Sequence, residues 1–134
     1  MFNEKYAPYA VLALRVLTGA LFLYHGLVKF FVFTPAGTYG YFESLGLPGV
    51  LGYATMLIEI FGGIALILGL FTAPLSLILA VVLVGAGIFG HGSAGFGWSN
   101  AGGGLEYPLM WAVVQAALAF LGDGAYALRP SRKA

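Results

Sequence analysis

Chemistry in this chain is concentrated in a few polar side chains set inside long apolar stretches. Arg15, Thr18, Phe22, His25 and Lys29 recur at spacings of three and four, which on a helix makes one stripe along one face. Such a stripe faces protein rather than lipid, because an unpaired charge in hydrocarbon is costly. Glu59 lies deep in a second apolar stretch and needs a partner for the same reason. A helical rise of about 1.5 Å per residue brings Arg15 roughly two turns in from one end of its stretch, a depth compatible with Glu59. An Arg15–Glu59 pair is therefore expected. Lys29 and His25 approach the level at which Glu106 leads into the last apolar run, so the buried charges balance as two cations and two anions.

Two readings of this cluster stay open. Arg15 with Glu59 can be an interhelical clamp that fixes register, as buried ion pairs in some proteins do. Alternatively Arg15, His25, Lys29, Glu59 and Glu106 line a polar cavity opening outward, with Phe22 and Trp111 as apolar walls. Other chemistries lack their residues. Cysteine is absent, which removes disulfides, thiolate metal sites and dithiol redox chemistry from the chain's own side chains. His91 sits in a Gly-rich stretch with no second His, Asp or Cys at metal spacing, so no metal is assigned. Gly102-Gly-Gly104 is not followed by the Lys-Ser/Thr pair of a phosphate loop. A net charge of +1 gives no electrostatic footprint for nucleic acid.

The elements that must carry these residues are set by composition. Of 134 residues, 60% are hydrophobic and 8% charged, with mean hydropathy +0.94, whereas soluble domains carry about 25% charged residues. Eleven charged side chains cannot cover a soluble surface of this size. The chain reads as one all-α domain over 1–134, an integral membrane four-helix bundle of antiparallel up-down topology. Its apolar runs are Tyr9 to Phe33, Val50 to Phe71, Ala73 to Phe89 and Tyr107 to Leu121. About 20 residues cross a hydrocarbon core of about 30 Å, so the fourth run is short. No small-residue cleavage site follows the first run, which reads as a retained span rather than a leader.

The short Gly69-Leu-Phe-Thr-Ala-Pro74 turn makes spans two and three a hairpin, and Gly62, Gly63, Gly69, Gly85 and Gly87 let helices approach closely. Polar, turn-rich sequence over 34–48 and Gly-rich sequence over 90–104 form the two longer loops. The basic tail Arg129-Pro-Ser-Arg132-Lys133, with Lys5 at the other end, puts both termini in the cytoplasm. An even number of spans satisfies that, and Trp98, Tyr39, Tyr41, Tyr53 and Tyr107 then fall near the outer interface. In the rival three-span reading the last helix lies on the surface, but Leu109 to Leu121 lacks the strongly polar face this needs.

Read together, Arg15, His25-Gly-Leu-Val-Lys29, Leu45-Gly-Leu-Pro48, Glu59-Ile-Phe-Gly-Gly63 and Leu68-Gly-Leu-Phe-Thr72 resemble the DoxX family of small bacterial membrane proteins. The likeness continues through Gly102-Gly-Gly-Leu-Glu106 and the closing Gly122-Asp-Gly-Ala-Tyr126. One departure is Ala73, where many relatives carry a basic residue after the turn. The resemblance implies a four-helix bundle in the inner membrane and a link to redox, sulfur or quinone metabolism as a membrane subunit or accessory protein. Any redox function would need a bound quinone or a redox partner protein, since the sequence shows no flavin or haem signature of its own. A small-molecule- or lipid-binding bundle is the alternative, and a transporter ranks behind it because the halves show no inverted repeat. The topology has a direct test. A reporter fused after Ala134 is expected in the cytoplasm and tags near Gly37 and Gly95 outside, and cytoplasmic accessibility at Gly95 would rule out four spans.

Overall fold

The computed structural model describes residues 2–129, with side chains from Glu4 onward. The described chain is helical apart from turns, loops and one isolated bridge between Leu70 and Arg129. Five α-helices follow one another: α1 (Phe2–Leu27), α2 (Thr34–Ser44), α3 (Val50–Leu68), α4 (Thr72–Ala86) and α5 (Glu106–Leu121). A π-helical turn, Val28–Val32, extends α1, and a second, Gly87–His91, extends α4 before a short 3-10 turn at Gly92–Ala94. Three of the resulting apolar helices, Glu4–Val32, Val50–Leu68 and Thr72–Ala94, are long enough to cross a membrane. The chain is a membrane protein. α5, at 16 residues, is shorter; its length of about 24 Å falls below a bilayer core of about 30 Å.

Glycine sets how closely α1 meets α3. A methyl group placed on Gly63 would stand 2.6 Å from Leu23 N and Gly19 O, and one on Gly26 would stand 2.8 Å from Ile60 N and 3.1 Å from Glu59 Cβ. The helices thus touch backbone to backbone, the contact that small residues permit where lipid offers no hydrophobic drive for association. Positions rising along α1 meet positions falling along α3. On the other side, Phe22, Leu66, Leu79, Leu83, Trp111 and Ala112 form the core that joins α1 and α3 to α4 and α5. Phe22 and Trp111 pack with ring centroids 4.5 Å apart and planes tilted by 41°, and Gln115 Nε2 donates to Ser76 Oγ at 3.3 Å across the α4–α5 contact.

Where the sequence reads as a polar loop over 34–48, the structure forms α2. Thr34 Oγ1 accepts from Gly37 N at 3.2 Å and Pro35 occupies the first turn, the arrangement that starts a helix. Gly37 and Gly40 disguised this start, because glycine ordinarily weakens helices. α2 is held by close packing: a methyl on Gly49 would meet the Tyr39 ring at 2.5 Å, and one on Gly52 would meet Thr38 O at 3.0 Å. α3 stops at Leu68 because Gly69, at φ +75°, takes the left-handed cap conformation.

Arg15 does not pair with Glu59. The contacts of Gly19 with Gly63 and of Gly26 with Ile60 continue to Gly69, whose added methyl would lie 3.1 Å from Arg15 Cζ. Ten residues of α3 separate that level from Glu59, about 15 Å. Arg15, 1% exposed, instead donates to Asp123 O and, at 3.3 Å, to Ala125 O, with the Asp123 charge beside it. Ala125 N donates to Pro8 O, Leu128 N to Leu68 O and Arg129 N to Gly69 O. The segment after α5 is thereby strapped across the ends of α1 and α3, and these hydrogen bonds to protein satisfy part of its irregular backbone. The rest of the basic tail, Arg132 and Lys133 included, lies outside the described residues.

Arg15→Ala strands two carbonyls, each costing about 1–3 kcal/mol when buried, so a clear drop in melting temperature in detergent is expected. Gly63→Val should do the same by forcing α1 away from α3, whereas Gly40→Ala, with open space around it, should not. Unchanged melting of Arg15→Ala would show that the strap contributes nothing to stability.

Candidate functional site

A cavity of about 860 Å3 lies between α2, α3 and α4, within the range of small-molecule sites. Leu51, Ala54, Ile58, Val81, Val82 and Phe89 make most of its wall apolar. Into that wall are set Lys29 and Glu59, paired at 2.7 Å. The pairing follows from the α1–α3 register. Gly26 stands against Glu59 and Ile60, and a helical side chain leans toward the N-terminus of its helix, so Lys29, one turn further on, reaches back to that level.

The two π turns of the described chain both border the cavity. Lys29 and His91 belong to them, and π segments frequently mark functional sites because they re-aim side chains and free backbone groups. Here Phe33 N donates to Val28 O at 3.0 Å, while Lys29 O accepts from Thr38 Oγ1 at 3.0 Å. Thr38, almost wholly buried, fastens α2 to α1 and forms part of the cavity wall. His91 Nδ1 donates to Gly102 O at 3.1 Å, as a carbonyl can only accept. Across from it, the Tyr41 hydroxyl lies 3.8 Å from where a methyl on Gly90 would stand, so α2 and the extended end of α4 meet beside the cavity.

Of the five sequence-derived site residues, the cavity gathers Lys29 and Glu59 alone. Arg15 binds the chain after α5. His25 packs against the Trp111 and Tyr24 rings, with centroids at 5.3 and 5.7 Å. Glu106 opens α5, its backbone N–H donating to Phe96 O at 2.8 Å, and Glu59 rather than Glu106 is the partner of Lys29. Phe22 and Trp111, expected as cavity walls, are core residues instead. Thr38, Tyr41, Thr55 and His91 were not among the expected site residues, although Thr38, Tyr41, Phe42 and Leu45 repeat at the spacing of one helix face. Among the described residues no three His, Asp or Glu side chains are grouped as a metal site.

A double-mutant cycle separates the two pairings. Lys29→Ala and Glu59→Ala should couple by about 0.5–3 kcal/mol in thermal stability, whereas Arg15→Ala and Glu59→Ala should be additive to within about 0.5 kcal/mol. Coupling of the second pair with additivity of the first would contradict this register.

Comparison with known proteins agrees with the motif order. The DoxX family model matches residues 10–92. An uncharacterised protein of Haemophilus influenzae is 38% identical over 129 residues, covering 93% of this chain and 92% of the relative. A Bacillus subtilis protein named "Putative oxidoreductase CatD" is 41% identical over 75 residues, covering 56% of this chain and 54% of the relative. No solved structure matches. With the family model matched over more than half of its length, the chain belongs to the DoxX family.

Proposed function

We propose that this protein is a four-span inner-membrane bundle of antiparallel up-down topology, with both termini in the cytoplasm, that serves as a membrane subunit or accessory protein of redox metabolism and holds a quinone in its cavity. The observation that carries the reading is the cavity itself: about 860 Å3, largely apolar, with one ion pair in its wall. That combination suits a lipid-soluble ring with oxygen substituents. A fourth span is supported by the strap, since residues 122–129 cover the ends of α1 and α3 beyond the point where short α5 stops. The redox assignment draws on the family and on the name of the Bacillus subtilis relative.

A quinone supplies two-electron, two-proton chemistry when bound. The chain's own part would be to hold and shield the ring: Ile58, Val82 and Phe89 would supply apolar wall and Lys29 N–H donors, with Tyr41 and His91 lining the cavity where α2 and α4 meet. Without cysteine, thiol-based electron transfer would fall to a partner protein, so membrane lipid and a redox partner are the expected associates.

Purification in mild detergent followed by solvent extraction and mass spectrometry should recover quinone in near-stoichiometric amount. Gly85→Phe is the matched control, because Gly85 lines the cavity and has open space where its side chain would go. The variant should keep the wild-type melting temperature and lose the quinone. Equal recovery from wild type and Gly85→Phe would count against the cavity as the binding site.

A further inference from the structure

We infer that the Lys29–Glu59 pair is the head-group subsite of this cavity, where the Lys29 ammonium donates to an oxygen of an uncharged, membrane-dissolved ligand that arrives sideways from the bilayer. The inference rests on reading the cavity as a ligand site and adds which atom recognises the ligand, what charge the ligand carries and where it enters.

An ammonium has three N–H donors, and Glu59 Oε1 engages Lys29 Nζ at 2.7 Å. The side chain of Lys29 is 20% exposed and that of Glu59 8%, so the cation is the member of the pair open to a ligand. Two other polar groups nearby are already engaged, the Thr38 hydroxyl donating to Lys29 O and His91 Nδ1 to Gly102 O, and the Tyr41 and Thr55 hydroxyls that also line the cavity are uncharged and so the weaker donors. A ligand oxygen buried against Leu51, Ile58, Val81 and Val82 would lose its hydration, and Lys29 is the donor placed to replace it.

Charge selects the ligand class. Lys29 and Glu59 together are neutral, so a carbonyl head leaves the site neutral, whereas a carboxylate or phosphate head would add an uncompensated charge at membrane depth. A ring ketone is preferred over a fatty acid or phospholipid.

The route follows from which lining residues are also exposed. Leu51, Val81 and Phe89 face the cavity yet are 44, 72 and 49% exposed. On a spanning helix such apolar exposure faces lipid. The mouth is therefore open to the bilayer, and a ligand dissolved there need not pass through water.

Binding of three probes to the protein in lipid nanodiscs, corrected against empty nanodiscs, tests this: a decyl-substituted para-benzoquinone, decylbenzene and dodecanoate. Wild type should bind the quinone about tenfold more tightly than decylbenzene, the equivalent of one hydrogen bond, and dodecanoate most weakly. Lys29→Met should erase the quinone's advantage and leave decylbenzene unchanged. If that variant fails to fold, Lys29→Met with Glu59→Gln removes both charges and takes the same comparison. Val81→Trp at the mouth should slow association of both uncharged probes. A quinone advantage that survives loss of Lys29, or tightest binding of dodecanoate, overturns the subsite. Equal wild-type binding of quinone and decylbenzene overturns the subsite while leaving the cavity reading standing, and binding of neither overturns both.

Discussion

The close approach of α1 and α3 through Gly19, Gly26 and Gly63 is the constraint on which the other features depend. With side chains no larger than a hydrogen at these positions, the two backbones touch and their relative axial position is fixed to within a residue. That register decides which polar groups can meet. It brings Glu59 to the level of Gly26, where Lys29 reaches it, and Gly69 to the level of Arg15. A slide of one helical turn would break both arrangements at once, leaving a buried carboxylate without its cation and a buried guanidinium without its carbonyls.

The two cations of α1 consequently do different work. Arg15 acts on backbone, and its planar fork of donors suits the pair of carbonyls at Asp123 and Ala125. Lys29 acts on a side chain, where a compact ammonium on a flexible stem keeps donors to spare. The strap at one end of α1 and the cavity at the other thus share a single helix. The π turn at Val28–Val32 sits between the glycine-packed part of α1 and α2, and the Lys29 carbonyl it leaves accessible is what Thr38 uses to fasten α2 over the cavity.

The helical, membrane character of the chain and the presence of a charged stripe were legible from composition and spacing, because both follow from local rules: a helix repeats about every 3.6 residues, and a bilayer rejects unpaired charge. Gly62, Gly63, Gly69 and Gly87 were legible as contact points too, whereas Gly85 stands in open space and the contact glycines Gly19 and Gly26 were not foreseen. Pairing was not. Depth counted from the ends of apolar runs carries an uncertainty of several residues, since α1 begins before Tyr9 and α3 ends before Phe71. An error of that size is about a side-chain length or more, enough to assign Glu59 to the wrong cation. Likewise α2 was hidden by Gly37, Gly40 and Pro35, whose propensities argue for a turn until Thr34 and the packing of Tyr39 on Gly49 are taken into account.

By itself the sequence determined that this protein is helical, lives in a membrane, belongs with the DoxX family and sets a few charged groups within its apolar segments, because hydropathy, charge scarcity and motif order are properties of the chain alone. Tertiary structure alone decided that Arg15 holds residues 123 and 125, that Lys29 rather than Arg15 meets Glu59, and that the cavity lies against α2 and the two π turns. These depend on how far one helix slides along another and on the turn at which a helix loosens. Both are settled by backbone contact between segments more than 40 residues apart, such as Gly19 and Gly63, which no local pattern encodes.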